Sequence, residues 1–180
     1  MDHRLPWFAI LPAAAAIAPP AHATVYLTIP AAQAAMFPGA QMIDHAIRFT
    51  PEQRKAIAKA SGVGGFDPVL RVWEARSGQA RVGWLIVDRV LGKHDFITYA
   101  VALGADGTVR GVEILEYRET YGGEIRNERW RAQFVGKRPG VSLKFGSDIK
   151  NISGATLSSR HVTDGVNRLL ATYDLLLKNG

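Results

Sequence analysis

The chain has 180 residues, 47% of them hydrophobic and 21% charged, which is the composition of one globular domain with a real core and excludes a disordered segment. Its formal charge is +6, and it has no cysteine, which excludes thiolate redox chemistry, thioether-linked haem and cysteine-ligated clusters. Basicity favours acidic partners, but no clustered basic and aromatic stripe points to nucleic acid.

Met1 to Arg4 is a short polar start, Leu5 to Pro20 is an Ala-rich apolar run, and Ala21-His22-Ala23 has the A-x-A form of a cleavage site. Residues 1–23 are therefore expected to be a signal peptide cut after Ala23, with the mature protein in the periplasm. The run contains Pro6, Pro12, Pro19 and Pro20 and is shorter than the roughly 20 residues a spanning helix needs, so an uncleaved membrane anchor is the weaker reading.

Residues 24–66 are expected to be a helical extension. Ala31 to Phe37 suits a short helix, and Thr50-Pro51-Glu52-Gln53 is a helix start with Thr50 as N-cap, Pro51 at the first position and Gln53 closing a capping box. That helix should end at Gly62. Gly62-Val63-Gly64-Gly65 follows a helix and not a strand, so it reads as a linker and not as a dinucleotide loop.

From residue 67 the period changes. Val69 to Ala75, Ala80 to Val90, Ile97 to Leu103 and Val109 to Tyr117 are rich in β-branched and aromatic residues, and Asp106-Gly107 is a strong hairpin signal. A short helix is expected near Asn127 to Phe134. Val162, Val166, Leu169, Leu170, Tyr173 and Leu177 then fall at helical spacing, predicting an amphipathic helix over 159–177. The fold class is α+β: an antiparallel sheet of four or more strands with helices packed on it.

The segment 151–159, Asn-Ile-Ser-Gly-Ala-Thr-Leu-Ser-Ser, precedes that last helix. Small residues admit a ligand close to the backbone, and open amides at a helix start favour an anion such as phosphate; ordinary helix capping uses the same residue types. Ser153-Gly154-Ala155-Thr156 resembles the S-G-A-T segment of the FMN-binding domain family, which includes the C subunit of the sodium-pumping NADH:quinone oxidoreductase and the G subunit of the Rnf complex. Glu119-Thr120-Tyr121-Gly122-Gly123 resembles that family's E-T-P-G-L-G loop, and Trp130 to Lys137 resembles its aromatic-x-x-Q-F-x-G-K segment, in the same order. Lys150 stands where the family usually carries Asp, and Tyr121 and Gly123 replace the usual Pro and Leu.

The resemblance implies an FMN-binding domain over 67–180 that carries electrons and has no substrate of its own. It implies that an exported flavin transferase links FMN through its phosphate to Thr156. Ser153, Gly154, Ala155, Thr156 and Leu157 would surround the attachment point, and the loop of Glu119, Thr120, Tyr121, Gly122 and Gly123 would lie near the ring, with Glu119 or Thr120 hydrogen-bonding the cofactor. Tyr117, Tyr121 and Trp130 are candidates to cover the ring face, and Arg118, Arg126, Arg129, Lys150, Arg160 and His161 to balance negative charge. Membrane-associated redox proteins would be the partners. The alternative is a non-redox module of the same fold that binds a partner or another ligand, with a vestigial or non-covalent flavin site.

Other patterns are weak. Ser147-Asp148-Ile149-Lys150 matches S-x-x-K, but the companion motifs of serine acyl-enzymes are absent. Asn151-Ile152-Ser153 is formally a glycosylation sequon, and the five histidines show no paired metal-ligand spacing, so no metal is expected.

Overall fold

The computed structural model describes residues 24–119 and 121–179; the expected leader and Thr120 lie outside this range. Four long strands form the centre of the sheet, β4 (Val69–Ser77), β5 (Ala80–Leu91), β6 (Phe96–Gly104) and β7 (Val109–Tyr117), each antiparallel to the next. These are the four strands expected from the sequence, the first three extended by one or two residues and β7 with the expected bounds. At the β6–β7 turn Gly107 adopts φ +79°, and a Cβ there would stand 2.3 Å from the Tyr173 ring, so the turn needs glycine twice over.

Residues 24–66 contain both expected helices, α1 (Ile29–Met36) and α2 (Pro51–Ser61), and also three strands that the helical reading of this stretch lacks. β1 (Thr24–Val25) pairs with β7, while β2 (Gln41–Asp44) and β3 (Ile47–Arg48) pair with successive parts of β4. The sheet order is thus β1-β7-β6-β5-β4-β2, with β3 also on β4. The capping box of α2 is formed as expected: Thr50 Oγ1 accepts from the Gln53 amide at 3.2 Å, and Gln53 Oε1 accepts from the Thr50 amide at 2.9 Å. Gly62 ends the helix in the left-handed region at φ +73°.

Both faces of the sheet are covered, which is why β5 reads as a continuous apolar run rather than an alternating one. Trp84, Ile86, Tyr99, Val101 and Ile114 point to one side, where they meet Ile57 of α2 and the stripe Val162, Val166, Leu169 and Leu170 of the last helix, α4 (Thr156–Thr172). Leu85, Val87, Ala100, Ala102 and Leu115 point to the other, under Ala32 of α1 and Phe37. The small alanines of β6 leave room for α1 to lie close. The apolar stripe runs on through a π turn, Tyr173–Leu177.

A one-residue slip in the β6–β7 register, where Thr98 faces Glu116 but Tyr99 faces Ile114, bends the end of β7. That bend delivers the chain after Tyr117 to the N-terminus of α4. A short helix α3 (Glu128–Arg131), flanked by 3-10 turns over Gly123–Arg126 and Ala132–Phe134, links the two. Among the described residues, no helix is long and apolar enough to cross a membrane.

Candidate functional site: a cleft at the start of the last helix

Three segments far apart in sequence converge at the N-terminus of α4. They are the tip of the β5–β6 hairpin, the loop after β7, and the stretch 150–158. Between them lies a cleft of about 520 Å³ lined by Lys93, His94, Glu119, Tyr121 and residues 154–158. This is within the roughly 300–1,000 Å³ typical of cofactor sites.

The stretch 150–158 is held from behind by the second motif. Trp130 Nε1 donates to the Lys150 carbonyl at 2.9 Å, and Gln133 Oε1 accepts from the Lys150 amide at 2.8 Å, so both backbone groups of Lys150 are clasped. The chain then turns at Gly154, φ +87°, and α4 begins at Thr156, three residues earlier than its apolar spacing predicts. The residue before it, Ala155, supplies no side-chain cap, so the first amides of the helix face the cleft without a capping acceptor. Thr156 is exposed, and its Oγ1 accepts from Asn151 Nδ2 at 3.1 Å.

The loop after β7 is tied to the same helix. Tyr117 Oη donates to the Tyr121 carbonyl at 2.5 Å and lies 3.1 Å from Ser158 Oγ. Burial raises the Tyr117 pKa and is the largest influence on it, against the opposing hydrogen bond with Ser158. Gly122, at φ +94°, makes this approach possible: a Cβ there would stand 2.4 Å from Tyr117 Oη.

The hairpin tip is held by Glu119. Its Oε1 accepts from the His94 amide at 2.5 Å and the Asp95 amide at 3.1 Å, and a Cβ on Gly92 would come within 2.6 Å of that oxygen. Burial, the largest single influence, would raise the Glu119 pKa, but the amides of His94, Asp95 and Lys93 together outweigh it and hold the carboxyl below its ordinary range.

Of the residues expected at the site, Glu119, Tyr121, Gly154, Ala155, Thr156 and Leu157 line the cleft. Ser153 is exposed beside it, Gly122 is buried behind it, and Gly123 opens the following 3-10 turn; none of the three is a wall. Of the aromatic candidates, Tyr117 and Trp130 are core residues, and Tyr121, 84% exposed, alone stands at the cleft. The six cations suggested by the sequence do not line it either. Arg118 pairs with Glu116, Arg126 lies over Tyr26, Arg160 lies over Phe145, and His161 Nδ1 meets the Leu91 carbonyl at 2.5 Å. The basic residues that do line it, Lys93 and His94, and Ser158 were not expected there.

These residues fit FMN. Uncapped helix amides, a small-residue approach at Gly154 and Ala155, a reachable hydroxyl and the basic side chains of Lys93 and His94 suit a phosphate-bearing ligand, and Glu119, the one carboxylate lining it among the described residues, directs Oε1 at backbone amides. A separate cavity of about 310 Å³, bounded by residues that include Phe66, Arg89, Leu91, Phe96 and Arg168, contains none of the described motif residues. Its arginines are already paired, Arg89 with Asp67 and Arg168 with Asp88.

Comparison with known proteins agrees with this assignment. Residues 92–171 match the FMN-binding domain family. The G subunit of the Na(+)-translocating ferredoxin:NAD(+) oxidoreductase complex of Acetobacterium woodii is 28% identical over 132 residues, covering 68% of this chain and 64% of that protein. The C subunit of the Na(+)-translocating NADH-quinone reductase of Vibrio anguillarum is 32% identical over 134 residues, covering 64% and 50% respectively. The crystal structure of NqrC from Shewanella oneidensis shares the fold, with a TM-score of 0.50 at 20% identity over 71% of this chain and 68% of that one. The chain spans about half to two thirds of the length of these two sequence relatives. The motifs, the cleft they form and the family match agree: residues 92–171 belong to the FMN-binding domain family, and FMN is the cofactor.

Proposed function

We propose that this is an exported electron carrier of the periplasm, with FMN phosphoester-linked to Thr156, that relays electrons between redox partners at the outer side of the cytoplasmic membrane. The observation that carries the reading is the exposed Thr156 hydroxyl at the uncapped start of α4, inside the cleft. Both similar sequences named above belong to redox complexes, which supports membrane-associated redox proteins as donor and acceptor.

When bound, FMN supplies reversible one- or two-electron chemistry. The chain's own residues bind and orient. Asn151 holds the Thr156 oxygen that would carry the FMN phosphate as an ester, a flavin transferase supplying the flavin from a donor whose leaving group would take up the threonine proton. The amides at the start of α4 would meet the phosphate charge, and the Tyr117 clamp keeps the Tyr121 loop against the helix. Attachment prevents loss of a cofactor made only in the cytoplasm.

The test is spectroscopic. Protein recovered from the periplasm should be yellow, bleach on reduction by dithionite and recover fully in air. Colourless protein in that fraction would favour a non-redox module of the same fold, and yellow protein retained in the cytoplasm would contradict export.

A further inference from the structure

Among the described residues the cleft has one lining carboxylate, Glu119, and two basic side chains, Lys93 and His94, and the carboxylate is bonded to the backbone that carries them. We propose that Glu119 is a positioning residue rather than a flavin ligand: it locks the β5–β6 hairpin tip so that the basic side chains of Lys93 and His94 form a wall that selects the phosphate of FMN. The inference rests on FMN occupying this cleft.

Three observations carry it. First, Glu119 Oε1 gathers the amides of consecutive residues, His94 at 2.5 Å and Asp95 at 3.1 Å, an anion seated in a backbone nest. Second, Gly92 is the residue that lets the carboxylate in, since a Cβ there would lie 2.6 Å from Oε1 and 3.1 Å from the Asp95 carbonyl. Third, the hairpin tip is otherwise lightly held. Beyond the ladder that ends at the Leu91–Phe96 pair, its backbone closure is the bond from the Gly92 amide to the Asp95 carbonyl at 2.7 Å. Without the carboxylate, the two residues between, Lys93 and His94, would be free to swing away from the cleft.

The sign of one substitution separates this role from a direct one. A carboxylate acting through space on a phosphate repels it, so removing the charge would tighten FMN binding. A carboxylate acting as a lock does the reverse. Full-length chain made without the flavin transferase is expected to bind flavin reversibly, and fluorescence titration with FMN and with riboflavin, which lacks the phosphate, measures the selectivity.

Glu119→Gln is expected to weaken FMN about tenfold while leaving riboflavin unchanged, the scale of one charge-assisted hydrogen bond. Lys93→Ala with His94→Gln should produce the same loss, and Gly92→Ala should reproduce it with the carboxylate intact. Amide exchange at His94 and Asp95 should quicken in Glu119→Gln in the absence of any flavin. Tighter or equal FMN binding in Glu119→Gln, or equal losses for FMN and riboflavin, would overturn the proposal. If the parent binds neither flavin, the cofactor assignment fails together with the selectivity claim, whereas the exchange rates still report whether Glu119 locks the hairpin.

Discussion

Asn151 Nδ2 donates to Thr156 Oγ1 at 3.1 Å, and the other end of the same amide, Oδ1, accepts from Ser159 Oγ at 3.1 Å. Ser159 thereby fixes which way the amide faces, and the amide fixes the rotamer of the threonine. Asn151→Ala should slow flavin attachment by about tenfold, the rate equivalent of one hydrogen bond of about 1.4 kcal/mol, and leave the fold intact. A time course of the mass increment with the flavin transferase measures it. An unchanged rate would show that the transferase alone positions the hydroxyl.

The pair that anchors α4 to the sheet lies on the face opposite solvent. Arg168, on the helix, bonds Asp88 of β5, and Tyr99 of β6 donates to the same carboxylate at 2.8 Å; all three are buried. Burial and the neighbouring Asp88 raise the Tyr99 pKa well above its ordinary value, so the phenol stays protonated as the donor. Arg168→Met leaves a buried carboxylate with the phenol as its sole remaining side-chain partner, and should cost about 3 kcal/mol or more. Urea unfolding of the two proteins gives the difference. A loss below about 1 kcal/mol would mean that water reaches Asp88 freely.

Stability should fall on the acid side. The hydrogen bond from Arg89 lowers the Asp67 pKa; for Glu74, burial would raise it but the bonds from Arg76 and Arg81 prevail, as the hairpin amides do for Glu119. Each has a folded pKa below its unfolded value, so its stabilisation is complete above the unfolded value of about 4 and is lost as pH falls through the folded one. Asp164 acts oppositely: burial raises its pKa, and its unfavourable contribution disappears on protonation. Local hydrogen bonds lower the Glu52 and Asp106 pKa values as well, so five carboxylates against one give a net loss and the thermal midpoint should drop between about pH 5 and pH 3. In the same scan Asp164→Asn should raise the neutral midpoint slightly. A midpoint that rises toward pH 3 would contradict the assignment.

The central strands were legible because each carries a long run of β-branched and aromatic residues, and α2 because Thr50, Pro51, Gln53 and Gly62 mark both its ends. β1, β2 and β3 were not, since two to four residues on a sheet edge carry no period; β4 and β7 create them. Thr156, Leu157 and the Glu119 loop were found through motif resemblance. Lys93 and His94 had no local signal, and what brings them to the cleft is a carboxylate about 25 residues further along. The early start of α4 was hidden for a related reason. Ser158 and Ser159 look like caps, but their hydroxyls are spent on Tyr117 and Asn151, and the true N-cap position is an alanine.

The most direct test is intact mass and visible spectrum, after denaturation, of the protein exported together with a flavin transferase and of its Thr156→Val variant. The parent should keep its flavin absorbance and carry the mass increment of one FMN less water, and the variant should fold with neither. A parent that loses its flavin on denaturation, or a variant that retains the increment, would contradict attachment at Thr156.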